Sequence, residues 1–115
     1  MKIFNILIIN IQSLRSKLLD LEAVLYEDVY SMIAISEHWL DPHEAEALKI
    51  KDFRTISHFS RASKFGGSLI MAKEHEVTCT PLQFINQLSS ENHCELSGVA
   101  LTNLDIFLIN IYRPP

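Results

Sequence analysis

Two apolar runs, at residues 6–9 and 32–35, flank a stretch in which leucine returns at Leu14, Leu18, Leu21 and Leu25. Steps of four, three and four residues put those leucines on one face of a helix. The flanking runs are too short for helices and rich in isoleucine, which suits strands buried on both faces. Strand, amphipathic helix, strand is a βαβ unit. It leaves few options: a right-handed crossover and two parallel strands in one sheet. The pattern predicts a strand over residues 2–9, a helix over 14–27 with Ser13 as its N-cap, and a second strand over 31–35.

Beyond that unit the spacing changes. Asp41-Pro42-His43-Glu44 has the form of a helix start, with Asp as N-cap, Pro in the first turn and Glu three residues after the cap. That helix is predicted to end near Lys49. Strands are predicted over 53–58, 68–72, 76–80, 95–101 and 105–112, with breaks at Gly66-Gly67, at 73–75, at Pro81 and at Thr102-Asn103. Such spacing predicts a mainly antiparallel continuation of the sheet. Residues 82–92 read equally as a short helix or a loop.

A chain of 115 residues fits one domain with a small core, and a 48% apolar fraction set in runs between polar breaks marks it as globular rather than disordered. The formal net charge of -4 argues against a strongly basic clamp on nucleic acid, although not against a nuclease, whose metal site is itself acidic. Cys79 and Cys94 have no metal or redox spacing and suit a reducing compartment. The apolar start of the chain is too short to span a bilayer and has no small-residue cleavage site. The expectation is a cytoplasmic or nuclear protein with no membrane partner.

The second apolar run breaks off at Ser36-Glu37-His38. In an open sheet with βαβ connections, ligands gather at the carboxyl ends of the parallel strands. The first strand ends at Asn10 and the second at Glu37, and a single crossover puts both ends on one edge. An amide and a carboxylate together form an oxygen-only donor pair, suited to Mg2+ or Mn2+ and phosphate rather than Zn2+. On geometry alone, a polar residue just past a strand is more often a turn or a cap. His38 could bind metal or phosphate but reads more readily as structural or solvated, and Trp39 could stack on a base but reads more readily as cover for a sheet edge. Arg54, Arg61 and Lys64 form a sparse basic region, open to a nucleic-acid backbone or simply solvated.

The order "NIQSLRSKL", "IAISEHWLDP", "FGGSLIMAK", "IYRPP" resembles the N-terminal half of the endonuclease/exonuclease/phosphatase family, and within it the apurinic-type endonuclease domains of non-LTR (LINE-like) retrotransposons. The likeness runs from about Phe4 to Pro115. It implies an α/β fold, half of a two-sheet α/β sandwich whose mixed sheet begins with the βαβ unit. It implies a metal site in which Asn10 and Glu37 match the family's Asn and Glu, with Mg2+ or Mn2+ as cofactor and DNA as partner. Tyr112 matches the Tyr that helps hold the scissile phosphate, so the implied catalytic set is Asn10, Glu37 and Tyr112. Gly66 and Gly67 match a glycine-rich turn that leads into a strand.

The departures from the family pattern are specific. His38 stands where relatives usually have Thr, and Gly66-Gly67-Ser68 stands where many have three glycines. The family's water-activating Asp-x-Asn pair, a further Asp and the Ser-Asp-His element have no match. Asp105 is followed two residues on by Phe107 rather than Asn. The resemblance therefore implies residues 1–115 as the first half of an endonuclease domain, catalytically incomplete by itself. The competing reading is a non-catalytic, retroelement-derived remnant that binds a protein partner through an exposed sheet face. In the half-domain picture the second sheet is missing. Apolar residues at 69–71, 99–101 and 106–111 would then face water and favour self-association or a protein partner.

Overall fold

The computed structural model describes residues 4–63 and 65–115. The expected strand start at Lys2, and Lys64 of the expected basic region, lie outside the described residues. The βαβ unit forms as its periodicity demands: β1 (Ile6–Asn10), α1 (Leu14–Leu25), β2 (Met32–Ser36), with β1 and β2 parallel and Asn10 paired with Ser36. The chain continues through α2 (Pro42–Ala47), β3 (Lys49–Ile50), β4 (Phe53–Phe59), β5 (Ser68–Lys73), β6 (Cys79–Pro81), α3 (Gln83–Asn86), β7 (Glu95–Leu101) and β8 (Ile106–Tyr112).

These strands make two sheets. One is mixed and five-stranded, in the order β1-β2-β5-β4-β3; the other is antiparallel and three-stranded, β6-β7-β8. The alternation along β2 and β5 explains why both read as continuous apolar runs. Ile33, Ile35, Leu69 and Met71 face a core shared with Leu14, Leu21 and Leu25 of α1 and Ala45 of α2. Met32, Ile70 and Ala72 face the other way, onto Val99 and Leu101 of β7 and the half-buried Leu108 of β8. Helices thus cover one face of the larger sheet and the smaller sheet covers the other.

The second layer corrects the expectation of an uncovered sheet. Residues 69–71 are fully buried, as are Val99 and Leu101, because the larger sheet is covered on both sides: the helices cover Leu69 and Met71, and the chain's own β6-β7-β8 covers Ile70. Exposure is confined to the third of the three segments. Ile106, Phe107, Ile109 and Ile111 of β8 are exposed, Phe107 at 68%. Odd-numbered residues of this edge strand point away from the sheet interface, whereas Asn110 is buried and Leu108 is half-buried.

Smaller differences have local causes. The second helix has the capping box its sequence promised: Asp41 Oδ1 accepts from Glu44 N–H at 2.8 Å, and Glu44 Oε1 accepts from Asp41 N–H at 3.2 Å. Ser13 does not cap α1; its backbone is left-handed at φ 86° and its side chain makes no cap bond, because its N–H is drawn to Glu37 O at 3.0 Å. The strand expected at 76–80 begins later, at Cys79, and the ambiguous 82–92 segment holds only the one-turn α3. Among the described residues, no helix is long and apolar enough to cross a membrane.

Candidate functional site

β1 and β2 end together, and the residues just past them form one corner of the molecule. After Ser36 the chain does not turn away. Ile11, Ser13 and Leu14 N–H donate to the carbonyls of Ser36, Glu37 and His38, at 3.0, 3.0 and 3.1 Å. On the other side, Glu37 and Trp39 N–H donate to the carbonyls of Gly67 and Gly66, at 2.8 and 3.0 Å. The segment is therefore gripped between the β1–α1 turn and the glycine pair that leads into β5. Glu37 and Trp39 both adopt left-handed backbone, at φ 57° and 60°. That conformation costs a non-glycine residue about 1 kcal/mol or more, and it persists where the surroundings over-determine it.

Within this corner the structure brings Asn10, Glu37 and Tyr112 together. Asn10 Nδ2 donates to Glu37 Oε2 at 2.6 Å. The Tyr112 hydroxyl is pushed above its ordinary pKa by burial, and further by the charge and hydrogen-bonding of the Glu37 carboxylate. It therefore stays protonated as a donor at neutral pH. Residues 10, 37 and 112 come from a parallel edge strand, the strap after its neighbour and the end of the second sheet's edge strand. Their convergence depends on the two sheets being stacked.

His38 does not take part. It is fully buried, with Nε2 2.9 Å from Phe59 O and Nδ1 accepting from Leu40 N–H at 2.9 Å. Both ring nitrogens are used, so the ring is a neutral tautomer that donates through Nε2 and has no lone pair left for a metal. Burial holds its pKa down to about 4. Of the readings open to it, the structural one holds; the solvated one and the metal- or phosphate-binding one do not. Gly67 explains the close fit: its φ is 100°, and a Cβ there would lie 2.3 Å from His38 Nε2. Gly66, at φ 75°, likewise lets the backbone cross the Arg61 side chain, whose Nε would be 2.1 Å from an added Cβ. Trp39 is half-buried and packs edge-on against Phe65, with ring centroids 4.8 Å apart.

Behind the site two residues form a pair that the sequence reading did not contain. Glu95 is completely buried, and Arg61 is 10% exposed; Arg61 Nε donates to Glu95 Oε2 at 2.5 Å. Arg61 is thus not a solvated loop residue, while Arg54 is exposed on β4. Glu95 carried a signal of its own. It occupies the inward phase of a strand whose other inward positions are Ser97, Val99 and Leu101, and a charge in that phase needs a partner. A second polar group joins the sheets nearby. Asn110 Nδ2 donates to Ile35 O and to Ser68 Oγ, both at 3.0 Å, and Ser68 Oγ lies 2.7 Å from Ser97 Oγ.

The oxygens these three residues carry are those of the Asn10 amide, the Glu37 carboxylate and the Tyr112 phenol. All are hard oxygens, and they fit Mg2+ or Mn2+. Among the described residues, no group of three or more His, Cys, Asp or Glu side chains is placed to hold a metal. An ion held by one carboxylate and one amide would keep most of its waters, as Mg2+ commonly does. No family model matches the chain, and no curated protein matches it either.

Proposed function

We propose that this corner is the first part of the metal and phosphate site of a divalent-metal-dependent DNA endonuclease, a phosphodiesterase of the retrotransposon apurinic type, and that these residues alone do not cleave DNA. The observation that carries the reading is the 2.6 Å contact between Asn10 and Glu37, with the Tyr112 hydroxyl against the same carboxylate. Asn10 holds one oxygen of Glu37, which leaves the other outside that bond. Tyr112, kept protonated, donates to Glu37 here and would turn that one O–H to a phosphate oxygen on binding. A bound Mg2+ or Mn2+ would supply positive charge against a phosphodiester. Hydrolysis also requires an activated water and a stabilised leaving group. Neither His38, whose nitrogens are committed, nor any second carboxylate cluster among the described residues is placed to provide them.

The test has two arms. Mn2+ titrated into the protein should broaden the NMR signals of Asn10, Glu37 and Tyr112 first, and Glu37→Gln should abolish that selectivity. Supercoiled or abasic DNA in Mg2+ should be nicked no faster than by a Glu37→Ala control. Mn2+ that broadens other regions equally removes the metal site. Robust nicking that Glu37→Ala abolishes shows that the catalytic set is complete here.

A second reading is favoured by one observation, the exposed row Phe107, Ile109 and Ile111 on β8. It makes the chain a non-catalytic protein-interaction module whose apolar face is the outer side of the smaller sheet.

A further inference from the structure

Glu95 opens β7, and its carboxylate is fully buried. Both oxygens are spoken for. Oε1 accepts from Gly67 N–H at 2.6 Å; Oε2 accepts from Arg61 Nε at 2.5 Å and from Asn92 N–H at 3.0 Å. The carbonyl of the same Gly67 accepts from Glu37 N–H at 2.8 Å. One residue of backbone therefore separates the buried carboxylate from the one that faces the site. Glu95 is also the cross-strand partner of Tyr112 in the β7–β8 register. It touches both supports of the site, the glycine turn of the larger sheet and the last pair of the smaller one.

A buried ion pair is a poor device for stability, since an apolar pair of similar volume commonly does as well. What it adds is orientation. Glu37 needs orientation, because its left-handed backbone holds only where neighbours impose it. We propose that Glu95, held by Arg61, is the positioning residue that fixes Gly67 and, through it, sets the Glu37 carboxylate against Asn10 and Tyr112. The proposal rests on the reading of those three residues as one site, but its consequence is visible without any metal.

The side-chain amide of Asn10 reports the geometry directly. Its short bond to Glu37 should move one amide proton downfield and slow its exchange in metal-free protein, with Asn10→Ala assigning the signal. Arg61→Met/Glu95→Leu replaces the pair by apolar side chains of similar size. It should keep a cooperative melt, lose the shifted Asn10 signal and bind Mn2+ about tenfold more weakly, as outer-shell losses do at metal sites. Glu95→Gln keeps an acceptor for Gly67 N–H without the charge, and should fall between wild type and the double variant. An unchanged Asn10 signal in either variant, folded, overturns the proposal. A wild-type protein that shows the signal and ignores Mn2+, with the signal lost in the variants, instead overturns the metal-site reading and leaves the positioning role intact.

Discussion

His38 sits one residue from the site carboxylate and yet belongs to the core. Its ring bridges Phe59 O and Leu40 N–H under Gly67, and burial lowers its pKa from 6.5 to about 4. Between those two values the unfolded chain binds more protons than the folded one. The stability that His38 contributes in its neutral form is therefore complete above pH 6.5 and lost as pH falls toward 4. By linkage this amounts to about 3 kcal/mol across the window. His58 is shifted the same way by burial, so a bulk pH profile mixes the two. A ring-proton NMR titration separates them. The His38 signal should titrate near 4, and unfolding midpoints in urea should drop between pH 6.5 and 4.5. A His38 ring that titrates near 6.5 would mean that it is not held between Phe59 and Leu40.

At the scale of elements, β8 does two jobs on its two faces. Asn110 points inward and joins β8 to β2 and β5 through Ile35 O and Ser68 Oγ, in a contact that is otherwise apolar. Asn110→Ala removes two buried hydrogen bonds, to Ile35 O and to Ser68 Oγ, which keeps its contact with Ser97 Oγ; each lost bond is worth about 0.5–1.5 kcal/mol, and more where the acceptor is left without a partner. The expected loss is ~2 kcal/mol or more, seen as a drop in Tm on the order of 10 °C. Ile111, the next residue, is 60% exposed on the outer face. Ile111→Ala should cost under ~1 kcal/mol. Equal losses for the two would show that β8 is not anchored through Asn110.

For the whole molecule, the layer order is helices, larger sheet, smaller sheet, and then the uncovered outer face of β8. Fully burying a Phe or Ile side chain yields ~1.5–3 kcal/mol. Phe107, Ile109 and Ile111 are already partly covered and would yield less than that each. Association itself costs roughly 4–15 kcal/mol. Three such residues therefore support only weak contact, and we expect sedimentation velocity to show reversible self-association at tens of micromolar and above rather than a tight dimer. Phe107→Lys/Ile109→Lys should abolish it without lowering the melt. Unchanged association in that variant would place the contact elsewhere.

The sequence determined the parts whose cause is local. Periodicity gave β1, α1 and β2, because 3.6- and 2-residue repeats expose their buried faces directly. Asp41 and Glu44 gave the capping box of α2, since a cap is made within four residues. Asn10 and Glu37 were legible as neighbours because one crossover joins their strands. Contacts across the stacked sheets were decided only in three dimensions. Whether Ile70 faced water depended on β7 crossing it, as Leu69 and Met71 depended on the helices, and no pattern within 69–71 records that. Ser13 fits an N-cap by type, but tertiary bonding to Glu37 took its backbone instead. Arg61 and Glu95 look like a loop cation and a strand-end anion until they meet 34 residues apart in sequence. Tyr112 reaches Glu37 only because the last strand of one sheet is laid over the first strands of the other. Burial and long-range pairing follow from that stacking, and a linear pattern carries them only as a charge or an amide set where the alternation calls for an apolar side chain.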